Sequence, residues 1–116
     1  MDISHYFFGR DIPFDDLGKG VKRRVLAYHE NLMIVETVFE AGAVGVMHHH
    51  PHEQITYIIE GEFDFTINGV TKRVVPGDSM YKQPDVLHGA VCVKAGKLLD
   101  IFTPHRADFL KKSEGL

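Results

Sequence analysis

GAVGVMHHHPHEQITYIIEG, residues 42–61, is the stretch that decides the fold of this chain. Both flanks of its histidine run are short and β-branched, as in β-strands, where side chains at i and i+2 share a face. His48 and His50 are therefore predicted to point the same way, with His49 turned aside. Histidine is the commonest protein ligand for transition metals. The stretch predicts a metal site built on strands.

Residues beyond this histidine run extend the predicted site. Gln54 follows His50 by four positions, and His88 is a lone histidine after a segment rich in turn residues. Glu53 is an alternative carboxylate ligand, but alternation turns it away, and His52 is better placed to support the site from outside it. The predicted ligands of one divalent transition-metal ion are His48, His50, Gln54 and His88. Residue types alone leave Ni, Zn, Mn, Fe and Co open.

Most of the remaining chain carries strand signals, with turn residues between short apolar runs. The predicted strands are Lys22–Tyr28, Met33–Glu40, Val46–His50, Gln54–Glu60, Glu62–Ile67, Val70–Val75, Asp78–Lys82, Gly89–Val93 and Lys97–Thr103. Gly61 is interpreted as a tight turn, and Asn68-Gly69 as a type I′ hairpin turn, which needs positive φ at both central residues. A short helix or turn is predicted only at Arg106–Lys112. This pattern predicts an all-β jelly-roll barrel.

Length and composition are those of an ordinary globular domain. The chain has 116 residues, of which 44% are hydrophobic and 25% charged, and its net charge is −3. We expect one domain over residues 1–116, with its barrel core at about 33–103. There is no basic excess for nucleic acid, no basic and apolar leader at the N-terminus, and no apolar run of membrane-spanning length. A cytoplasmic protein that binds neither nucleic acid nor membrane is expected.

Alternation also assigns the two faces of the strand that begins at Gln54. If Gln54 points into the barrel, three residues go with it: Thr56, Ile58 and Glu60. The opposite face is apolar and carries Ile55, Tyr57 and Ile59. Because an apolar outer face is normally covered, a homodimer is predicted. The alternative cover is the chain's own aromatic N-terminal segment, residues 7–14.

These residues resemble the cupin superfamily. Its first motif, Gly-x5-His-x-His-x3-4-Glu-x6-Gly, is matched here by Gly42, His48, His50, Gln54 and Gly61. The second motif is matched in degenerate form by residues 77–88, which end at His88. Departures from the two motifs are Gln54 in place of glutamate, together with Gln83, Asp85 and Cys92 in the second motif. The resemblance implies a jelly-roll fold and the four metal ligands named above.

Within the cupins, the string at residues 48–54, His88-Gly89 and the ending at residues 100–110 resemble the small pectin-degradation cupins. Those proteins linearise 4,5-unsaturated uronate monosaccharides. The resemblance implies functional roles for Asp100, Phe102 and Arg106. Asp100 would be a general acid and base, Arg106 a planar fork for the substrate carboxylate, and Phe102 an apolar wall. The expected substrate is therefore a small acidic sugar.

Several alternatives stay open. Three imidazoles and an amide leave a bound ion its full positive charge, which favours Lewis-acid over redox chemistry. A cupin dioxygenase with iron or copper and a non-catalytic sugar-binding or sensing cupin are the other candidates. Asp100 would alternatively form a structural ion pair with Arg106 or a lysine, Phe102 would pack in the core, and Arg106 would cap the last strand. The run Lys22-Arg23-Arg24 is interpreted as a solvated edge, or else as charge that attracts an acidic sugar.

Overall fold

Short β-branched and aromatic runs form strands along most of this chain. The structure, a computed structural model, describes the backbone of residues 3–113 and the side chains of residues 3–110. Its strands are β1 (Asp15–Gly18), β2 (Val21–His29), β3 (Leu32–Phe39), β4 (Val44–His48), β5 (Glu53–Ile67), β6 (Val70–Val74), β7 (Ser79–Lys82) and β8 (His88–Thr103). A 3-10 turn at Gly9–Asp11 precedes them, and helix α1 (Ala107–Ser113) follows them. The all-β prediction is confirmed, and no helix in residues 3–113 has the length and apolar character to cross a membrane.

The two longest strands, β5 and β8, organise the molecule. They pair antiparallel along nearly their whole lengths, from Gln54 opposite Phe102 to Ile67 opposite His88. Strands β6 and β7 add to the other edge of β5, while β3 and β4 add to the other edge of β8. The register of this ribbon shifts near its centre, and residues from its two ends, Gln54 and His88, line one cavity.

The register shift in this ribbon corrects one turn prediction. Gly61 lies inside β5 and does not end it, and the register of β5 against β8 shifts on both sides of it. Its φ of +81° suits glycine, and a Cβ there would lie 2.5 Å from the Lys94 carbonyl oxygen. The two strands predicted on either side of Gly96 are likewise one continuous strand, β8. Bulges let a strand bend and continue, which strand periodicity alone does not reveal.

Replacing Gly61 with alanine is expected to lower the free energy of unfolding by about 2 to 4 kcal/mol, through backbone strain and backbone contact. Gly42→Ala is the matched control, because Gly42 has a φ of +85° but no neighbouring atom within 4 Å of its would-be Cβ. The control should lose only about 1 to 2 kcal/mol. Urea denaturation of both variants measures the difference. Equal losses would show that the close approach of β8 is unimportant.

One prediction about the faces of β5 needs correction. Gln54, Thr56 and Ile58 are buried as expected, but Glu60 is exposed and lies 3.7 Å from the Lys97 ammonium. The register shift between Ile58 and Glu60 reverses the alternation there.

The N-terminal segment does not cover the apolar outer face of β5. Phe7 contacts Tyr28 of β2, and Phe14 lies under the guanidinium of Arg24. Ile55 and Tyr57 are 45% and 42% exposed. The homodimer on this face stays a prediction.

One long hairpin was predicted correctly. Asn68 and Gly69 have φ values of +51° and +80°, as a type I′ turn requires, and they join β5 to β6. The barrel interior holds an aromatic and aliphatic cluster around Phe39, Phe63 and Leu98. A second buried cluster, around Met33, Val35 and Phe102, lies at the open end of the barrel beside the predicted ligands.

Candidate metal centre

Three of the four predicted ligands are histidines that the fold brings together. His48 ends β4, His88 begins β8, and the two residues are paired across these strands. His50 follows β4 in the turn that leads into β5. One ring nitrogen from each of the three lies within 4.8 Å of the others. One ion about 2.0–2.1 Å from each nitrogen can bridge that spacing after small side-chain shifts.

The outer nitrogens of two of these rings are fixed by backbone carbonyls. His48 Nδ1 lies 2.7 Å from the Val46 oxygen, and His88 Nδ1 lies 2.9 Å from the Val86 oxygen. Each Nδ1–H donates to that oxygen in the neutral imidazole, which leaves the lone pair on Nε2. His88 Nε2 is buried and has no hydrogen-bond partner within the described residues. A buried lone pair that faces two other imidazoles fits a divalent ion, and carbonyl support of this kind is usual around metal-binding histidines.

The two ends of the Gln54 side-chain amide contact different groups. Its Oε1 is 2.9 Å from His50 Nε2, so the amide oxygen lies beside the histidine cluster. Its Nε2 donates to Asp100 Oδ1 at 2.8 Å and to Thr56 Oγ1 at 3.2 Å. A glutamate at this position would bring two carboxylates together, which is unfavourable when both are ionised. The departure from the usual cupin glutamate therefore matches the presence of Asp100.

The remaining polar residues of the histidine run lie outside this cluster. His49 is exposed, and its Nδ1 is 3.8 Å from the Asp85 carboxylate. Glu53 is also exposed and accepts a hydrogen bond from the Tyr81 hydroxyl. His52 Nε2 is 3.2 Å from the carbonyl oxygen of His105. None of the three belongs to the cluster of candidate ligands found in the described residues.

Burial favours the neutral form of two of the clustered histidines, His50 and His88. Desolvation lowers the pKa of His88 from 6.5 to about 4. Desolvation, and then the positive charge of Arg106, lowers the pKa of His50. Neutral imidazole is the form that binds a metal ion.

After a chelator has removed any bound metal, the protein is expected to have a lower free energy of unfolding as the pH falls from about 6.5 to 4. The unfolded chain protonates His88 near pH 6.5, whereas the folded chain does so only near 4. Between these values the unfolded state binds more protons, so the free energy of unfolding falls by about 3 kcal/mol in total. Chemical denaturation at several pH values measures this slope. His88→Asn should flatten it and His49→Ala should not; an unchanged slope in His88→Asn would assign the effect to other groups.

The carboxylate of Asp100 accepts two hydrogen bonds and forms no ion pair with Arg106. Its Oδ1 accepts hydrogen bonds from the Gln54 amide at 2.8 Å and from the Thr56 hydroxyl at 2.5 Å. Arg106 instead holds Asp108 through Nε and Nη2, at 3.0 and 2.8 Å. Among the described residues, Asp100 therefore forms no ion pair with Arg106 or with a lysine, and the side-chain hydrogen bonds of Arg106 go to Asp108 of α1 and not to the end of β8.

Lys82 is a buried residue of this site that the sequence reasoning missed. It lies on β7, is only 2% exposed, and donates to Thr56 Oγ1 at 2.7 Å. Its ammonium is 4.6 Å from the centre of the Phe65 ring, and desolvation lowers its pKa. Lys82 is directly opposite Gln54 in the sheet, so both share the inner face. Only the pairing of β7 with β5, which is not a local signal, identifies it.

Phe102 and Arg106 lie at the mouth of the site. Phe102 is 2% exposed and packs with Met33 and Val35, so its predicted core role is real. Its ring centre is also 5.8 Å from that of His50. The Arg106 guanidinium lies 5.3 Å from the centre of the Phe102 ring. Phe102 thus belongs both to the core and to the wall of the site.

A cavity of about 420 Å³ joins these groups. Its lining includes His48, Gln54, His88, Asp100, Phe102 and Arg106. Its cationic lining residues are Lys19, Arg23, Lys82 and Arg106, while Asp100 is the one carboxylate residue among the described lining residues. Pockets of this volume accommodate small molecules. A positive cavity in a chain of net charge −3 is a local feature that favours an anionic ligand.

Comparison with known proteins identifies relatives along almost the whole chain. The model of the cupin domain matches residues 35–102. The pectin degradation protein KdgF of Dickeya dadantii (strain 3937) is 37% identical over 110 residues, which cover 93% of this chain and 100% of that protein.

Solved structures agree with this result. An RmlC-like cupin from Shewanella frigidimarina NCIMB 400 has a TM-score of 0.89 and 43% identity, over 92% of this chain and 96% of that one. KdgF from Halomonas sp. has a TM-score of 0.88 and 32% identity, over 92% of this chain and 99% of that one. These similarities confirm the predicted jelly-roll fold.

Proposed function

Because this chain belongs to the cupin family, with pectin-degradation cupins among its relatives, we propose that it is a metal-dependent enzyme that linearises 4,5-unsaturated uronate monosaccharides. The observation that carries the proposal is the cavity itself. It combines an imidazole cluster, one carboxylate and four cationic side chains within about 420 Å³. That lining matches the size and negative charge of a single uronate.

His48, His50, Gln54 and His88 would hold one divalent transition-metal ion. The ligand set is neutral, since it consists of imidazoles and an amide oxygen. When bound, such an ion supplies Lewis-acid polarisation of a substrate oxygen. Among the described candidate ligands there is no carboxylate, which separates this site from the two-histidine, one-carboxylate arrangement of oxygen-activating iron.

Asp100 is the proposed proton-transfer group. As base, it takes the proton of the anomeric hydroxyl; the bond between the anomeric carbon and the ring oxygen then breaks, giving an aldehyde and an enolate. As acid, it returns that proton to carbon 4, which completes the ketone, so the reaction is a net isomerisation without redox change. Thr56 and Gln54 both donate hydrogen bonds to Oδ1 of Asp100, which orients the carboxylate. The proposed proton transfer would use the other oxygen, Oδ2.

Lys82, Phe102 and Arg106 would prepare the cavity for this step. The Lys82 ammonium bonds the same Thr56 hydroxyl that donates to Asp100, so it fixes the direction of that hydrogen bond. Phe102 supplies a flat apolar wall for the sugar ring and excludes water. Arg106 adds positive charge for the substrate carboxylate.

Purified protein, analysed for its metal content, is to be assayed on 4,5-unsaturated galacturonate. The expected result is loss of the ultraviolet absorbance of the double bond conjugated to the carboxylate, at the same rate with and without oxygen. Saturated galacturonate is the control and should not change. A requirement for oxygen would favour a dioxygenase. Tight binding with no absorbance change would favour a binding or sensing module, and either result contradicts the proposed reaction.

A further inference from the structure

Arg23 lines the cavity but has no part in the proposed reaction. It lies on β2 and is partly buried, directly opposite Thr37 of β3, and both residues line the cavity. Its two sequence neighbours differ from it. Lys22 is exposed. Arg24 donates hydrogen bonds to the Glu36 carboxylate at 2.6 Å and to the carbonyl oxygens of Gly9 and Ile12. The run of three basic residues is therefore not the uniformly solvated edge that its sequence suggested.

The guanidinium of Arg23 has no hydrogen-bond or ion-pair partner within the part of the chain that the structure describes. It lies against the Phe109 ring, with its Cζ 3.7 Å from the ring centre. Asp15, Asp100 and Asp108 attract it at longer range, but none of them forms an ion pair with it. A guanidinium has five N–H donors in a planar fork that suits a carboxylate.

A second guanidinium shares the same ring. Arg106 has its Cζ 4.3 Å from the centre of Phe109, on the lining of the same cavity. Because like charges repel, Arg106 lowers the pKa of Arg23, in addition to the larger effect of burial. Asp108 occupies the Nε and Nη2 edge of Arg106, so that residue is already partly neutralised. Of the two guanidinium groups, Arg23 therefore has fewer hydrogen-bond and ion-pair partners among the described residues.

We propose that Arg23 is the principal carboxylate-binding residue of this cavity and, with Arg106, determines its preference for acidic over neutral sugars. An entering carboxylate would bond the free fork of Arg23 and relieve its repulsion with Arg106. Phe109 holds the Arg23 guanidinium plane, so that little side-chain freedom is lost on binding. The inference rests on the proposed function for the identity of the ligand, a monosaccharide acid.

The test is calorimetric titration of D-galacturonate and of D-galactose into the purified, metal-loaded protein. These sugars differ in the carboxylate and lack the unsaturated bond that reacts. Wild type should bind galacturonate more tightly than galactose. Arg23→Gln should weaken galacturonate binding about 10- to 100-fold, the effect of losing hydrogen bonds to a charged group, and leave galactose binding unchanged. Arg23→Lys should recover part of the loss, because it keeps the charge but not the fork.

Lys22→Gln is the matched control, since it removes one positive charge from the adjacent, exposed position. It should bind both sugars as wild type does. Because Arg23→Gln removes both the repulsion with Arg106 and the contact with Phe109, thermal melting serves only to show that the variant is folded at the temperature of the titration. Wild-type affinity of Arg23→Gln for galacturonate, an equal loss for both sugars, or no preference in wild type would each overturn the inference.

Failure of the proposed reaction gives a different result. A wild-type protein that leaves the absorbance of the unsaturated uronate unchanged, yet binds galacturonate through Arg23, would contradict the reaction and support the binding inference. A wild-type protein that opens the unsaturated ring, with an Arg23→Gln variant of unchanged KM, would do the reverse.

Discussion

His88→Ala is expected to weaken binding of the divalent ion by at least about 100-fold, beyond the 10- to 100-fold range for losing a residue that only supports a ligand. His88 is 3% exposed, and its Nε2 has no hydrogen-bond partner within the described residues. Removing it leaves two imidazoles and one amide oxygen around the ion. Ring-opening activity should fall together with metal occupancy. Elemental analysis after dialysis, and the ultraviolet assay on the same sample, measure both.

His49→Ala is the control for this change. His49 lies between two proposed ligands in sequence but is exposed, and its Nδ1 is 3.8 Å from the Asp85 carboxylate. The control should keep a full complement of metal and full activity. If His88→Ala retained one ion per chain and wild-type activity, the proposed ligand set would be wrong.

Asp100→Asn is expected to lower the turnover rate about 10²- to 10⁴-fold while metal occupancy stays at the wild-type level. Asparagine has nearly the same shape, and its Oδ1 can still accept hydrogen bonds from Gln54 and Thr56. It cannot take a proton from the anomeric hydroxyl. The change therefore separates proton transfer from positioning. The measurements are kcat, KM and metal content of the purified variant.

Asp64→Asn is a suitable control for loss of one carboxylate elsewhere in the barrel. Asp64 forms an exposed ion pair with Arg73 at 2.6 Å, and exposed pairs of this kind contribute little to stability. The control should leave kcat unchanged. An Asp100→Asn protein with wild-type kcat would eliminate Asp100 as the proton-transfer group, and a variant without metal would show that its role is structural.

The sequence was sufficient for features that depend on local geometry. Alternation correctly placed Gln54, Thr56 and Ile58 on the inner face of β5. The Asn68-Gly69 turn followed from the positive φ that glycine and asparagine tolerate. His48 and His50 do meet as predicted, but His50 lies just beyond the end of β4 and outside the predicted strand Val46–His50, so strand alternation is not the reason. Each of these predictions spans a few residues.

Features that depend on strand pairing were not predictable in this way. Lys82 and Gln54 share the inner face because β7 pairs with β5, and Arg23 reaches the cavity because β2 lies beside β3. Glu60 was misplaced because a bulge shifted the register before it. A single extra residue in a strand reverses every face that follows, and no local pattern marks where it occurs.

The amino-acid sequence by itself determined that this chain is a β-barrel with imidazole and amide groups suited to one metal ion, since strand alternation and ligand chemistry are properties of neighbouring residues. Only the tertiary structure decided which groups meet. The bulged ribbon of β5 and β8 brings His88, from one end, to the same cavity as Gln54 and Asp100 at the other. It also decided that Arg23 and Lys82 face the cavity, because the faces of distant strands depend on their register and bulges.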